Sequence, residues 1–180
     1  MQKNTHHPLI VIFHWASFFL IILALALIEI KNYVPRDNPW RADLKTYHML
    51  VGQIIFLVVF CRVLAKFFIQ QAHDADDSYK KAIKKIIHLC LYIFMIGMPI
   101  TGILLMQSAG KPIPYFNEIY PQFIEKDLDL KKTFKYVHEY WGNAIYFFIG
   151  LHALVAIWRE YVLKDGTLQR MLLTKASVSS

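Results

Sequence analysis

The chain is short of cysteine, short of acid and free of internal repeats or low-complexity stretches. Only Cys61 and Cys90 are present among 180 residues, both in or beside apolar runs, where they read as buried or lipid-facing thiols. No C-x-x-C-H occurs, so nothing signals covalent attachment of a c-type haem. Thirteen Asp and Glu stand against twenty Lys and Arg, for a net charge of +7. Such a balance can indicate nucleic acid, but here the basic residues flank apolar runs. That is the pattern of a protein bordered by lipid headgroups, and no nucleic-acid partner is expected.

What is abundant is apolar sequence. Hydrophobic residues make up 56% of the chain, against about 45–50% in ordinary soluble domains. They fall in four runs: Leu9 to Ile30, Met49 to Ile69, Ile86 to Met106 and Tyr140 to Trp158. Each is close to the roughly 20 residues a helix needs to cross the hydrocarbon layer. Backbone groups in lipid must be satisfied within the segment, which leaves helices as the spanning structure. The expected fold is an all-α integral membrane protein, a bundle of four transmembrane helices. They are placed at about residues 9–31, 47–69, 82–107 and 134–162 of a single domain, 1–180. Ala24-Leu25-Ala26 resembles a leader cleavage site, but the first run continues past it and already holds His14 and Trp15. It is read as an uncleaved first helix. Pro99 is expected to kink the third helix.

The links differ in character. Residues 31–48 carry Pro35, Pro39 and mixed charge. Residues 70–85 end in Lys80, Lys81, Lys84 and Lys85. Residues 107–139 form the longest link, and Tyr115, Phe116, Tyr120 and Phe123 suggest that it lies on the membrane surface or caps the bundle. Basic residues are slightly more numerous on the side that holds both termini and the 70–85 link. Both termini are therefore assigned to the cytoplasm. Arg62 and Lys66, near the inner end of the second run, must either snorkel or meet an anionic partner.

Eight histidines are present. His6, His7 and His73 lie in polar segments and receive no role. His14, His48, His88, His138 and His152 lie on or at the ends of the helices, where an imidazole is costly and usually functional. His138 and His152 are 14 residues apart on the fourth helix. That spacing returns to nearly the same face about 21 Å further along. One helix thus presents two imidazoles in one direction at two depths, which suits two stacked macrocycles rather than a zinc site with ligands at i and i+4. Depth matching pairs His48 with His138 near the outer surface and His14 with His152 near the inner one. Gly52 and Gly142 each follow a ligand candidate by one turn, and small residues there would admit a flat ring; ordinary helix packing is the alternative. His88 is left between a propionate contact, a quinone pocket and an interfacial position. Arg62 is left between propionate neutralisation and anchoring.

Several stretches then resemble the bacterial cytochrome b561 family: FHW at 13–15, the His48 to Gly52 stretch, IIHLCLYIFMIGMPITG at 86–102, VHEYWGNAIYFFIGLHAL at 137–154 and KDGTLQRML at 164–172. The resemblance implies a four-helix protein of the bacterial cytoplasmic membrane with two b haems. It implies axial iron ligation by His14, His48, His138 and His152. It also implies an oxidoreductase of the superoxide oxidase type, which takes an electron from superoxide, forms dioxygen and reduces ubiquinone. Lys45, Lys131, Lys132 and Lys135 flank the outer ligands in sequence and would steer the anion there. Two alternatives stand beside this reading. One is a quinol-linked carrier delivering electrons to a periplasmic or membrane partner. The other is a haem-free transporter or scaffold. The oligomeric state is not legible in the sequence.

Overall fold

The computed structural model of the chain describes residues 7–69, 78–115 and 118–172, with side chains from residue 82 onward in the third helix. Four long helices form the bundle: α1 (Pro8–Tyr33), α2 (Trp40–Phe68), α3 (Ser78–Ser108) and α4 (Leu128–Tyr161). All four are long and apolar enough to cross a membrane, the third over Ala82–Ser108. Many large apolar side chains, Phe19, Leu57, Leu89 and Phe147 among them, point outward. That is the expected surface for a protein whose solvent is lipid.

The helix starts differ from those expected because hydropathy marks the membrane-embedded part of a helix and capping marks its true end. α4 begins at Leu128 rather than near 134 because the Asp127 carboxylate accepts from the amides of Asp129 and Leu130, at 2.8 and 3.0 Å. α2 begins at Trp40, where the Asn38 side chain accepts from the Trp40 amide. The long outer link therefore shrinks to residues 109–127. It contains one small antiparallel hairpin, β1 (Pro114–Tyr115) with β2 (Glu118–Ile119). Gln107, almost wholly buried, holds this link down: it donates to the Pro121 carbonyl and accepts from the Phe123 amide. Gln53 of α2 donates to the Pro114 carbonyl and fixes the hairpin over the bundle. Tyr115 and Tyr120 stack there, at 5.1 Å between ring centres; Phe116 lies outside the described residues. α3 runs through Pro99 as one helix.

Within the bundle α1 packs on α2, α3 packs on α4, and α2 joins the two pairs through α3. The core along this seam is Ile21, Ala24, Val51, Ile55, Val59, Leu91 and Met95. Gly97 lets the Trp141 ring lie directly on α3; a Cβ there would collide with it. α1 and α4 touch little, and a cavity stands between them.

The segment after α4 folds back beneath the bundle and ends in a 3₁₀ turn, Gln169–Met171. Its centre is Asp165. Arg159 pairs with it at 2.5 Å, the Thr167 amide donates to it at 3.0 Å, and Arg170 approaches to 4.0 Å. The Trp15 indole of α1 donates to the Met171 carbonyl at 2.8 Å. Burial pushes the Asp165 carboxyl upward, but hydrogen bonds from Thr167 and Arg159 and the Arg159 charge outweigh it and hold the group below its ordinary value of 3.8. A carboxyl whose folded value is depressed adds stability above that ordinary value and loses it as pH falls through the lower one. Asp165→Asn should therefore weaken the clasp by about 1–2 kcal/mol at neutral pH. The check is faster tryptic cleavage at Lys164 and Arg170 than in the wild type. The gap should close when both are cleaved, with an acid-stable protease, well below pH 3.8.

Candidate functional site

The helices bring together the histidines that depth matching paired. The rings of His48 and His138 are 6.3 Å apart between centres, and those of His14 and His152 are 6.2 Å apart. A metal lies about 2.0–2.1 Å from a ligating imidazole nitrogen, which is itself about 1.1–1.2 Å from its ring centre, so two imidazoles holding a metal from opposite sides would have ring centres about 6.4 Å apart. Both separations match that value. His88 also reaches the inner group, at 5.5 Å from His152, which is too short for a metal held between the two.

The outer pair is oriented by its surroundings. His48 Nδ1–H donates to the Ala24 carbonyl of α1 at 2.9 Å. His138 Nδ1 meets the Thr101 hydroxyl at 3.1 Å, and that hydroxyl donates to the Met98 carbonyl, so His138 donates and Thr101 accepts. Each ring is thereby fixed with Nε2 free to ligate, the arrangement by which outer contacts hold metal-binding imidazoles. Thr101 was missed in the sequence because a hydroxyl inside an apolar helix more often turns back on its own backbone. A Cβ added at Gly52 would meet nothing within 4 Å, so the space beside His48 is open. Gly142 instead faces Met98 across the α3–α4 contact, at 3.6 Å from the built Cβ.

The inner pair borders the cavity, about 520 Å³, between α1, α3 and α4. His14, Ser17, Phe18, Ile21, Leu25 and Glu29 line it from α1 at helical spacing, and Gly150 and His152 line it from α4. Gly150 takes the part on this level that Gly52 takes on the other: a Cβ there meets nothing within 4 Å. Sequence reading passed over it because it precedes its histidine by two residues instead of following by a turn.

Arg62 does not snorkel. It is 5% exposed and turned inward, and its Nη2 donates to His14 Nδ1 at 3.0 Å. Among the described residues its Nε has no partner, nor has the buried hydroxyl of Tyr92, whose ring centre lies 5.7 Å from the guanidinium carbon. Lys66 lies over the same ring. Both unsatisfied donors line the cavity, and a buried guanidinium without a carboxylate calls for an anion. His88 Nδ1–H donates to the Lys84 carbonyl of its own helix, at 2.7 Å.

The steering lysines are distributed unevenly. Lys132 and Lys135 are exposed and paired with Asp129 and Glu139, at 3.1 and 3.8 Å. Lys45 lies instead in the field of Lys31, Lys111 and Lys131, a cluster drawn from three separate elements and the outer link. His7 caps α1, its Nδ1 accepting from the Leu9 amide; His6 and His73 lie outside the described residues.

The chain has relatives among known proteins. The profile of prokaryotic cytochrome b561 matches residues 5–173. The chain belongs to the prokaryotic cytochrome b561 family. A Yersinia pestis protein named "Probable superoxide oxidase CybB" is 34% identical over 166 residues, covering 88% of this chain and 90% of that one. Escherichia coli K12 cytochrome b561 homolog 1 is 26% identical over 167 residues, covering 88% and 92%. Cytochrome b561 homolog 2 of the same strain is 24% identical over 168 residues, covering 89% and 87%. As a member of the b561 family the chain is a multi-pass bacterial membrane cytochrome that binds haem b and transfers electrons.

Proposed function

We propose that this cytochrome holds two b haems, one between His48 and His138 and one between His14 and His152, and that it oxidises superoxide to dioxygen while reducing ubiquinone. What supports the two-haem reading above all is the pair of ring separations, 6.3 and 6.2 Å, at two levels of one helix. The superoxide half rests on the likeness to the Yersinia protein and on the cationic outer face.

When bound, each haem supplies a one-electron carrier. The chain's own groups do the rest. Lys45, Lys31, Lys111 and Lys131 raise the local concentration of a small anion near the outer pair. His48 with His138, and His14 with His152, would each hold a haem iron from both sides, and superoxide would then be oxidised without binding the metal. The Ala24 carbonyl and Thr101 keep the outer imidazoles in the ligating tautomer. At the inner level, His14 would hold the group through Nε2 with its ring proton on Nδ1. Nδ1 would then not accept from Arg62, and the guanidinium, beside Tyr92, would be available to a haem carboxylate. His88 borders that site without ligating. Both termini face the cytoplasm of a bacterial inner membrane, because Lys84, Lys85, Arg159, Lys164 and Arg170 gather at the end of the bundle nearest His14 and His152.

The test is spectroscopic, then kinetic. Protein purified from membranes should show about two b haems per chain in reduced-minus-oxidised spectra, both low-spin. Superoxide should reduce them, and ubiquinone should then reoxidise them. Reduction by ubiquinol but not by superoxide would replace this direction of flow with the quinol-linked one. A protein without a Soret band would end the reading.

A further inference from the structure

α1 carries a carboxylate inside its membrane-spanning length. Glu29 is exposed, on a surface bordered by lipid. Such a group is costly there and is retained for a task. Its partner is on another helix: the Tyr146 hydroxyl of α4 donates to Glu29 Oε1 at 2.9 Å, across 117 residues of sequence. This bond spans two helices that otherwise touch little. Both residues line the same cavity as His14, Arg62 and His152. Tyr146 is 42% exposed, so the pair stands at the rim, reachable from the bilayer. Along α4 Tyr146 is six residues from His152 and eight from His138, or about 9 and 12 Å of rise. It stands between the two histidine levels.

An exposed hydroxyl–carboxylate couple between two long apolar helices, at electron-transfer distance from both levels, suits a hydrophobic two-electron, two-proton acceptor. We propose that Glu29 and Tyr146 form the proton-delivering rim of the quinone site, with Tyr146 donating to a quinone carbonyl oxygen and Glu29 resupplying the hydroxyl. This rests on the quinone-reducing reading above and gives it a place and an acid. The balance is two superoxide, one quinone and two protons giving two dioxygen and one quinol. Electrons come one at a time from superoxide. The two new O–H bonds of the quinol take protons that pass through the Glu29–Tyr146 couple from the aqueous side.

The experiment uses the haem-loaded full chain in liposomes. Its haems are reduced and mixed with ubiquinone-1, and their reoxidation is followed by stopped flow. Tyr146→Phe and Glu29→Gln should reoxidise at least roughly ten-fold more slowly than the wild type. Reoxidation rates are expressed per haem, from the haem content measured on each sample. The amide of Glu29→Gln can still accept from Tyr146 and bridge the helices but carries no proton, so a merely structural role leaves its rate intact. The wild-type reoxidation should also slow in deuterium oxide. Independently, a photoreactive azidoquinone should label peptides of α1 and α4 around Glu29 and Tyr146 in the wild type. Rates within two-fold of wild type in both variants, or labelling confined to other helices, overturns the proposal and leaves quinone reduction itself standing. Wild-type haems that ubiquinone-1 fails to oxidise bring down the quinone-reducing reading, and this proposal with it.

Discussion

His48→Ala and His138→Ala should each yield protein with one b haem in place of two, and the haem that remains should be the inner one. On the proposed pairing either substitution would leave the outer haem with one imidazole, still anchored either by the Ala24 carbonyl or by Thr101. A single remaining bond competes poorly with loss of the ring into detergent or lipid. Superoxide-driven quinone reduction should then fall at least ten-fold, because the steering cluster of Lys45, Lys31, Lys111 and Lys131 no longer has an electron carrier at its level. Thr101→Val is the milder companion: both haems bound, but the His138 ring less firmly held and outer-haem affinity roughly ten-fold lower. Haem-to-protein ratio and low-temperature difference spectra read all three variants. Loss of the inner haem from His48→Ala or His138→Ala would refute the pairing.

Arg62→Met should loosen the inner haem and lower its potential. The guanidinium is buried, half unsatisfied and has no carboxylate against it among the described residues. A haem carboxylate that loses a charge-assisted bond of about 1.5–3 kcal/mol is held roughly 10- to 100-fold less tightly. Transfer of haem to an apoprotein acceptor measures this as a rate. Removing a positive charge also favours the oxidised iron, so the inner midpoint moves downward while the outer one stays in place. The control is His88→Ala, which should keep two haems, since its 5.5 Å separation from His152 is too short for a shared iron. His152→Ala should lose the inner haem entirely.

Much of this site was legible because it depends on two simple periodicities. Apolar runs of membrane length give the four helices, and a 14-residue spacing on one of them gives two imidazoles on one face at two depths. Depth along antiparallel helices then leaves few partners to choose from. Three kinds of information were not in those periodicities. The start of α4 depends on Asp127 as a cap and that of α2 on a turn at Asn38–Pro39, and hydropathy is blind to both. The inward turn of Arg62 depends on where His14 and Tyr92 stand across the bundle, which a snorkelling rule read along one helix does not contain. The Glu29–Tyr146 bond joins residues 117 positions apart, neither of them notable alone. Gly52 and Gly142 looked equivalent at i+4 from their histidines. Only the neighbouring helix separates them, because Met98 occupies the space beside one and nothing occupies the space beside the other.

The bond from Trp15 to the Met171 carbonyl joins the first helix to the last described turn, 156 residues later. A chain emerging from the ribosome builds the α1–α2 pair early but cannot make this tie until Met171 has emerged. The mouth of the bundle beside His14 and His152 thus stays unlatched while the helices between are made, a natural interval for loading a prosthetic group. Reporter fusions appended after residue 172 begin next to that latch, whereas fusions ahead of residue 7 leave it untouched.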